Sequence, residues 1–251
     1  MDTTRGDISG REPTPWGFWA TIGFSFLTII ILFVAQIVTV IGFGVVAKGS
    51  YPEMHLNSLG SNGLLLAIAT CVSTPPTIAL SLLFARLRKN ITIKEYFCLY
   101  RPGKGQYLKW ILAIIVLVVC SDTLTVILGR PVVPEFMVQA YTSARFIPLL
   151  WFAVIIAAPL GEEIIFRGFL FKGIQNSRIG ANGAILISSL GWSVLHIQYD
   201  SYGVGTIFVM GLLLGAARLK SDSIYVPIMM HAIASFIATI EAAIYVSAVL
   251  N

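Results

Sequence analysis

Stretches of apolar residues, separated by short polar segments, cover most of this 251-residue chain. A helix needs about 20 apolar residues to cross a bilayer, and several of the stretches reach that length. Spans are predicted near residues 16–47, 63–85, 108–128, 146–166, 184–197, 204–217 and 224–250. The fifth and sixth are short and the seventh is long, so six or eight spans would also fit. We therefore predict an all-α fold, a polytopic transmembrane helical bundle of about seven spans.

The composition points to the same class of protein. The chain is 57% hydrophobic and only 12% charged, with a mean hydropathy of +0.84, whereas a soluble domain carries about 25% charged residues. Residues 1–15 are polar and the first apolar stretch is too long for a cleavable signal peptide, so none is expected. The net charge of +5 comes from basic loops. We expect the lipid bilayer as a partner, and no nucleic acid.

The segment that joins the second and third spans is strongly basic. Against one acid, Glu95, it holds seven basic residues: Arg86, Arg88, Lys89, Lys94, Arg101, Lys104 and Lys109. Lysine and arginine are enriched in cytoplasmic loops, so this segment is predicted to be cytoplasmic. Counting spans back from it places the N-terminus in the cytoplasm. The chain is thus expected to be a multi-pass integral membrane protein with a cytoplasmic N-terminus.

Three charged residues, Glu162, Glu163 and Arg167, follow the uncharged stretch at 146–160. Charges within a span are costly, which makes them candidates for function. Glu163 and Arg167 are i,i+4 neighbours on a helix and can neutralise each other. Glu162 is turned about 100° away, because a helix has 3.6 residues per turn. The spacing predicts a structural role for Glu163 and leaves Glu162 free for chemistry.

Two of the three histidines, His196 and His231, lie in predicted spans, whereas His55 is expected in a solvated loop. Turn-forming residues are concentrated at 175–183. A helical hairpin there would bring Glu162 and His196 to one depth, about 25 Å from the turn at 1.5 Å per residue. His231 lies a few turns into the last span. All three are expected in the cytoplasmic half of the membrane.

The order and spacing of these motifs resemble those of the CPBP family of intramembrane proteases. This family is also called the CAAX-protease or Abi family, and its members are relatives of the type II CAAX prenyl endopeptidase. The resemblance covers about residues 146–239. The matching positions are Glu162, Glu163, Arg167, Trp192, His196, Gly211, Gly215, Arg218 and His231.

The resemblance also divides the chain. It implies a core of catalytic helices at 146–251, preceded at 1–145 by N-terminal spans and the basic loop, which vary within the family; together they form one membrane domain. One position departs from the family pattern. The last motif is usually His-x-x-x-Asn or His-x-x-x-Asp, and here Ser235 stands in the fourth place. Serine can donate one hydrogen bond but is shorter than asparagine.

Peptide hydrolysis by an activated water is the reaction that the resemblance implies. Glu162 and His196 would activate the water, and His231 would stabilise the oxyanion, with Ser235 as a supporting donor. Glu163 and Arg167 would support the site. The implied partner is a peptide or protein substrate, prenylated or not, that reaches the membrane from the cytoplasmic side.

A zinc-dependent reaction is the competing version of this chemistry. Glu162, His196 and His231 would supply the three protein ligands that a catalytic zinc requires. The chain has no His-Glu-x-x-His helix, and these ligands are far apart in sequence. We therefore favour catalysis without a cofactor or metal, and a chelator would distinguish the two.

Two further functions stay open at the level of sequence. The Ser235 departure suits a non-enzymatic member, such as a bacteriocin-immunity or scaffold protein. The three ionisable groups Glu162, His196 and His231 would also suit the proton relay of a small transporter.

The remaining unusual residues are assigned to structure. Asp122 and Glu241 are lone acids in predicted spans and are expected to be hydrogen-bonded inside the bundle or near an interface. The three cysteines have no Cys-x-x-Cys spacing and are expected to be buried thiols. They are Cys71, Cys98 and Cys120.

Overall fold

The computed structural model of the chain describes residues 14–50 and 56–250. His55, which was expected in a solvated loop, lies outside the described residues. Over the described ranges the regular structure is helical, without a β-strand. The helices are α1 Phe18–Ser50, α2 Gly63–Leu87, α3 Ile93–Tyr96, α4 Lys104–Ile127, α5 Glu135–Ser143, α6 Ile147–Gln175, α7 Gly180–Ser193, α8 Ser201–Ser221 and α9 Tyr225–Leu250, with a 3₁₀ segment at Leu56–Ser61.

Six helices in the part of the chain that the structure describes are long and apolar enough to cross a membrane. They are α1, α2, α4, α6, α8 and α9. The predicted all-α, multi-pass transmembrane bundle is therefore confirmed. The fifth predicted span corresponds to α7, which has only 14 residues and is too short to cross a bilayer by itself.

Hydrogen bonds between loops define one end of the bundle. Arg88 Nε donates to the carbonyl of Thr14 at 3.0 Å. Ser223 donates to the carbonyl of Tyr100 at 2.6 Å. The end of α2, the start of α4 and the turn between α8 and α9 therefore lie together. This end carries the basic segment between α2 and α4 and is called the basic face below.

The other end is called the opposite face. There the Gly63 N–H donates to the Ser143 hydroxyl at 2.8 Å, joining the start of α2 to the end of α5. Arg130 pairs with Asp200 at 2.6 Å, joining the loop after α4 to the start of α8. The chain therefore moves from the basic face to the opposite face between the end of α6 and the start of α8. Helix α7 and the residues at 194–200 make this crossing together, which is compatible with about seven spans.

The core lies where α6 packs against α7, α8 and α9. Apolar side chains fill it, including Phe166, Trp192 and Met230, all fully buried. Charged side chains lie in the same layer: Glu163 and Arg167 are 0% exposed. Because an unpaired buried charge is very costly, these two groups must be paired with each other or with another charge.

Candidate active site

Helix α6 changes its winding on both sides of the two glutamates. Regular α-helix at Ala158–Glu163 is flanked by π-helical segments at Ala153–Ala157 and Ile164–Leu170. π-Helical turns are uncommon and often occur at functional sites. The wider turns change which way side chains point before and after the glutamates. The local backbone thus marks the same residues that the charge pattern selected.

Glu163 is the buried anion at the centre of the site. Its Oε1 atom accepts hydrogen bonds from Arg167 Nη1 and from His231 Nδ1, each at 3.0 Å. The predicted i,i+4 contact between Glu163 and Arg167 is therefore present. The contact with His231 joins α6 to α9 across 68 residues, and the sequence analysis did not anticipate it.

Arg167 is held by more than this one carboxylate. Its Nη2 atom donates to the carbonyl of Gly211 on α8 at 3.2 Å. Its guanidinium group lies over the Trp192 ring, 4.6 Å from the ring centroid. Arginine binds well in such settings because its planar group can donate and stack at the same time. Arg167 therefore connects α6, α7 and α8.

Glu162 has a different environment from its neighbour. Its side chain is 27% exposed, against 0% for Glu163. Its Oε2 atom accepts a hydrogen bond from Trp192 Nε1 and lies 4.0 Å from His231 Nε2. Glu162 thus makes no close ion pair with Arg167, as the helical spacing predicted, and its side chain is partly exposed.

His231 lies between the two glutamates. Its Nδ1 atom faces Glu163 at 3.0 Å and its Nε2 atom faces Glu162 at 4.0 Å. A carboxylate oxygen that also accepts from Arg167 is an acceptor only, so Nδ1 of His231 carries the proton of that bond. The other ring nitrogen is left facing Glu162.

His196 lies just after the end of α7 and packs against the Trp192 ring. The Trp192 ring is 5.1 Å from the His196 ring and 5.0 Å from the His231 ring, edge-on to both. His196 Nδ1 is 3.0 Å from the carbonyl oxygen of Trp192. A carbonyl can only accept, so Nδ1 is the donor and Nε2 is the free acceptor. The structure thus gathers Glu162 and both histidines around one indole ring.

The donor set does not match the zinc alternative. Among the described residues, no group of three or more His, Cys, Asp and Glu side chains is arranged to hold a metal ion. A catalytic zinc needs three protein ligands at about 2.0–2.2 Å.

Ser235 lies one turn after His231 on α9 and is half-buried. Its carbonyl accepts a hydrogen bond from the Thr239 hydroxyl at 2.7 Å. It therefore shares the helix position that asparagine or aspartate takes in the related motif.

Two glycines of α8 allow that helix to approach α7 closely. A Cβ atom on Gly211 would lie 2.9 Å from Ser189 Cβ and 3.2 Å from Arg167 Nη2. A Cβ on Gly215 would lie 3.2 Å from Ile185. The absence of a side chain at Gly211 is thus what lets Arg167 reach the α8 backbone.

Arg218 supports the π-helical part of α6 from α8. Its Nε atom donates to the Arg167 carbonyl at 3.0 Å, and its guanidinium lies 5.5 Å from the Phe171 ring centroid. It also lies 3.6 Å from the exposed Asp222. The sequence analysis identified Arg218 as part of the motif, but its contact with the Arg167 backbone depends on the fold.

Tyr199 is a residue of the site region that the sequence analysis missed. Its ring is 6.2 Å from that of His196 and 5.8 Å from that of Phe136 on α5. No motif marked this position, because its place beside the site depends on the turn that follows α7.

Comparison with known proteins gives the following matches. Residues 144–237 match the family model described as Type II CAAX prenyl endopeptidase Rce1-like. An uncharacterized 24.3 kDa protein of Escherichia coli is 30% identical over 113 residues, which cover 41% of this chain and 49% of that protein. The membrane-embedded CAAX protease MroQ of Staphylococcus aureus (strain USA300) is 34% identical over 125 residues, which cover 48% and 50%. The chain thus spans about half the length of these curated relatives, and no solved structure matches it.

Proposed function

Because this chain belongs, through residues 144–237, to the CPBP family of CAAX-protease relatives, we propose that it is an intramembrane endopeptidase. It hydrolyses a peptide bond with a water molecule activated by Glu162 and His196. The observation that carries this proposal is the contrast between two adjacent glutamates. Glu163 is buried and paired with Arg167, whereas Glu162 is partly exposed and forms no ion pair with a lysine or arginine among the described residues.

Glu162 acts as the general base. Trp192 Nε1 holds its Oε2 atom, and the carboxylate keeps a second oxygen and access to solvent. A general base must lie within about 2.6–3.2 Å of the proton that it removes. A water molecule hydrogen-bonded to the other carboxylate oxygen of Glu162 would lie within this distance.

His196 orients the same water. Its Nδ1–H is engaged by the Trp192 carbonyl, so the lone pair of Nε2 is available to accept a hydrogen bond from the water. Trp192 thereby fixes both members of the pair, one through its side chain and one through its backbone. Glu162 takes a proton from the water, and the resulting hydroxide attacks the scissile carbonyl carbon. The protonated Glu162 later gives this proton to the departing amine nitrogen.

His231 stabilises the negative charge that develops on the carbonyl oxygen. Glu163 accepts from Nδ1 and so orients the ring. When His231 is protonated on both nitrogens, Nε2–H becomes a charged donor, and charged donors aimed at an oxyanion are among the strongest contributors to catalysis. The negative charge of Glu163 offsets the positive charge of the ring. Ser235, one turn further on α9, is proposed as a second donor to the same oxygen.

The orientation proposed from the basic loops completes this picture. With lysine- and arginine-rich segments in the cytoplasm, the basic face is cytoplasmic and so is the N-terminus. The substrate is a peptide or protein segment, and the reaction proposed above uses no metal and no cofactor.

The test is cleavage of a set of quenched fluorescent peptides by purified protein in detergent. Glu162→Gln, His196→Ala and His231→Ala should each abolish cleavage while thermal unfolding stays cooperative. Glu135→Gln is the matched control, because Glu135 is an exposed residue in the first turn of α5 whose carboxylate accepts a hydrogen bond from Gln139. Full cleavage by Glu162→Gln would rule out the proposed mechanism.

A non-enzymatic role, such as bacteriocin immunity or scaffolding, is the second candidate. The observation that favours it is Ser235, which stands where the related motif has asparagine or aspartate. In that case the biological function would survive Glu162→Gln and would be lost only with variants that disturb helix packing.

A further inference from the structure

The depth of the site can be read from the helices that carry it. Glu162 lies about 20 Å from the basic end of α6 at Gln175, at about 1.5 Å per residue. Helix α7 starts near the basic face at Gly180 and ends at Ser193, so it rises about 21 Å. The site therefore lies at the depth where α7 stops, near the middle of the membrane.

Between this depth and the opposite face, the segment that follows α7 is irregular. Helix α8 begins at Ser201 and, with 21 residues, is about 31 Å long, roughly 10 Å longer than α7. The residues at 194–200 fill that difference in height. They leave the site at His196 and reach the opposite face at Asp200, where Arg130 fixes them.

Non-helical backbone at membrane depth is tolerated only where protein buries it or where it lines a water-filled cavity. Several residues of the segment 194–200 are exposed, with Ile197 at 83% and both Val194 and Gln198 on the surface. Protein therefore does not enclose this segment. Its exposure is consistent with a water-accessible space between the site and the opposite face.

Large side chains pack tightly between the basic face and the site. A Cβ atom added to Gly168 would lie 2.5 Å from the Phe97 ring and 2.9 Å from Ile224. Large side chains of this layer are fully or almost fully buried: Trp110, Ile114, Phe166, Phe169, Phe171 and Ile174. Among the described residues, a layer of buried large side chains thus lies between the basic loops and the depth of Glu162.

We propose that the peptide substrate reaches Glu162 from the opposite face, along the segment 194–200, and that Tyr199 lies at the neck of this route. The Tyr199 ring packs near the rings of His196 and of Phe136 on α5, so α5 lies beside the route. With the basic face in the cytoplasm, the route opens on the non-cytoplasmic side of the membrane. This inference rests on the proposed protease function. It replaces the cytoplasmic approach expected from sequence. A helical hairpin places Glu162 and His196 at the same depth, but it does not indicate from which side of the membrane the site is open.

The direct test uses right-side-out and inverted membrane vesicles from an expression host. The probe is a charged, membrane-impermeant quenched peptide that the detergent-solubilised protein cleaves. Cleavage should occur in right-side-out vesicles, be absent in sealed inverted vesicles, and appear in both after detergent is added. Cleavage in sealed inverted vesicles alone would overturn the route while leaving the protease function intact. No cleavage in detergent would instead contradict the protease function.

A second test does not depend on activity. In a background in which the three native cysteines are replaced by alanine, Gln198→Cys and Lys220→Cys are each treated with a membrane-impermeant maleimide. Gln198→Cys should react in right-side-out vesicles, and Lys220→Cys, on the basic face, should react only in inverted ones. Reaction of Gln198→Cys from the inverted side alone, or from neither side, would overturn the route.

The role of Tyr199 is tested by comparing Tyr199→Phe with Tyr199→Ala. If Tyr199 positions the peptide through its ring, Tyr199→Ala should raise KM several-fold and leave kcat nearly unchanged. Tyr199→Phe, which keeps the ring, should have a KM close to that of the wild type. A fall in kcat at constant KM in both variants would contradict a positioning role at the neck.

Discussion

His231 Nδ1 lies 3.0 Å from Glu163 Oε1, and this oxygen also accepts a hydrogen bond from Arg167. The contact joins α9 to α6 and makes Glu163 the common partner of two groups that can carry positive charge. Two adjacent glutamates therefore have opposite environments. Glu163 holds the site together, and Glu162 is left open to the reaction.

The first prediction compares these two residues directly. Glu163→Gln leaves Arg167 buried beside a neutral side chain, and removal of one partner from a buried ion pair costs about 3–5 kcal/mol. Glu162→Gln removes a partly exposed charge that no cation contacts closely. Thermal unfolding in detergent should therefore show a large loss of stability for Glu163→Gln and little change for Glu162→Gln.

Activity should follow a different order. Glu162→Gln should abolish peptide cleavage although the protein remains folded. If Glu162→Gln were the less stable variant, or Glu163→Gln unfolded like the wild type, the division of roles between the two glutamates would be wrong.

The second prediction concerns the indole nitrogen of Trp192. Trp192→Phe removes the hydrogen bond to Glu162 but keeps a ring beside Arg167 and the two histidines. A hydrogen bond to a charged group contributes about 1.5–3 kcal/mol, and about 1.4 kcal/mol corresponds to a tenfold change in rate. The cleavage rate of Trp192→Phe should therefore fall by about 10- to 100-fold.

Trp151→Phe is the matched control for this substitution. Trp151 Nε1 is buried and has no hydrogen-bond partner among the described residues, and its ring contacts Phe236 edge-on. Its replacement should leave the rate nearly unchanged. Equal losses in the two variants would indicate a general packing effect instead of a role for the Trp192 hydrogen bond.

Some of this site could be predicted from sequence because the interactions are local. The Glu163–Arg167 pair depends only on i,i+4 spacing, which any helix provides. The contact between Glu163 and His231 spans 68 residues and depends on how α9 packs on α6. Spacing alone could not reveal it, and none of the roles predicted for His231 from sequence included a contact with Glu163.

The fold shows the same division. Long apolar stretches specify membrane helices, so the class of the bundle followed directly from hydropathy. The early end of α7 and the irregular residues at 194–200 did not, because they are apolar enough to resemble part of a span. The two lone acids of the spans, Asp122 on α4 and Glu241 on α9, lie close enough to interact. Spacing along the chain did not predict this contact, because it depends on how the two helices pack.

The third prediction concerns Ser235. If its hydroxyl is the second donor to the oxyanion, Ser235→Ala should lower the cleavage rate by about 100-fold, the usual effect of removing one such donor. Ser235→Asn restores the residue type of the related motif and should retain activity. Steady-state kinetics on one quenched peptide measure both effects.

Ser247→Ala serves as the control on the same helix, since Ser247 is exposed and its hydroxyl donates only to the Ile244 carbonyl. Its rate should equal that of the wild type. A Ser235→Ala variant as fast as Ser247→Ala would remove Ser235 from the mechanism and leave His231 as the proposed donor.

The fourth prediction tests metal dependence. Because the histidines and Glu162 do not converge as three ligands, cleavage should be unchanged after incubation with 1,10-phenanthroline and dialysis. The zinc alternative predicts a loss of activity that added zinc restores. A parallel assay of a known zinc protease in the same detergent shows that the chelator is effective under these conditions.

The last prediction concerns the close packing of α8 against the site. Gly211→Ala places a Cβ 2.9 Å from Ser189 Cβ and 3.2 Å from Arg167 Nη2, so α8 must move away or Arg167 must leave the Gly211 carbonyl. Overpacking of this kind costs about 1–3 kcal/mol, and displacement of Arg167 also disturbs Glu163. Both the unfolding temperature and the cleavage rate should fall. Gly205→Ala is the control on the same helix, because nothing lies within 4 Å of its added Cβ, and it should behave as the wild type. If Gly211→Ala matched Gly205→Ala in both measurements, the packing of α8 would not be what holds Arg167 in the site.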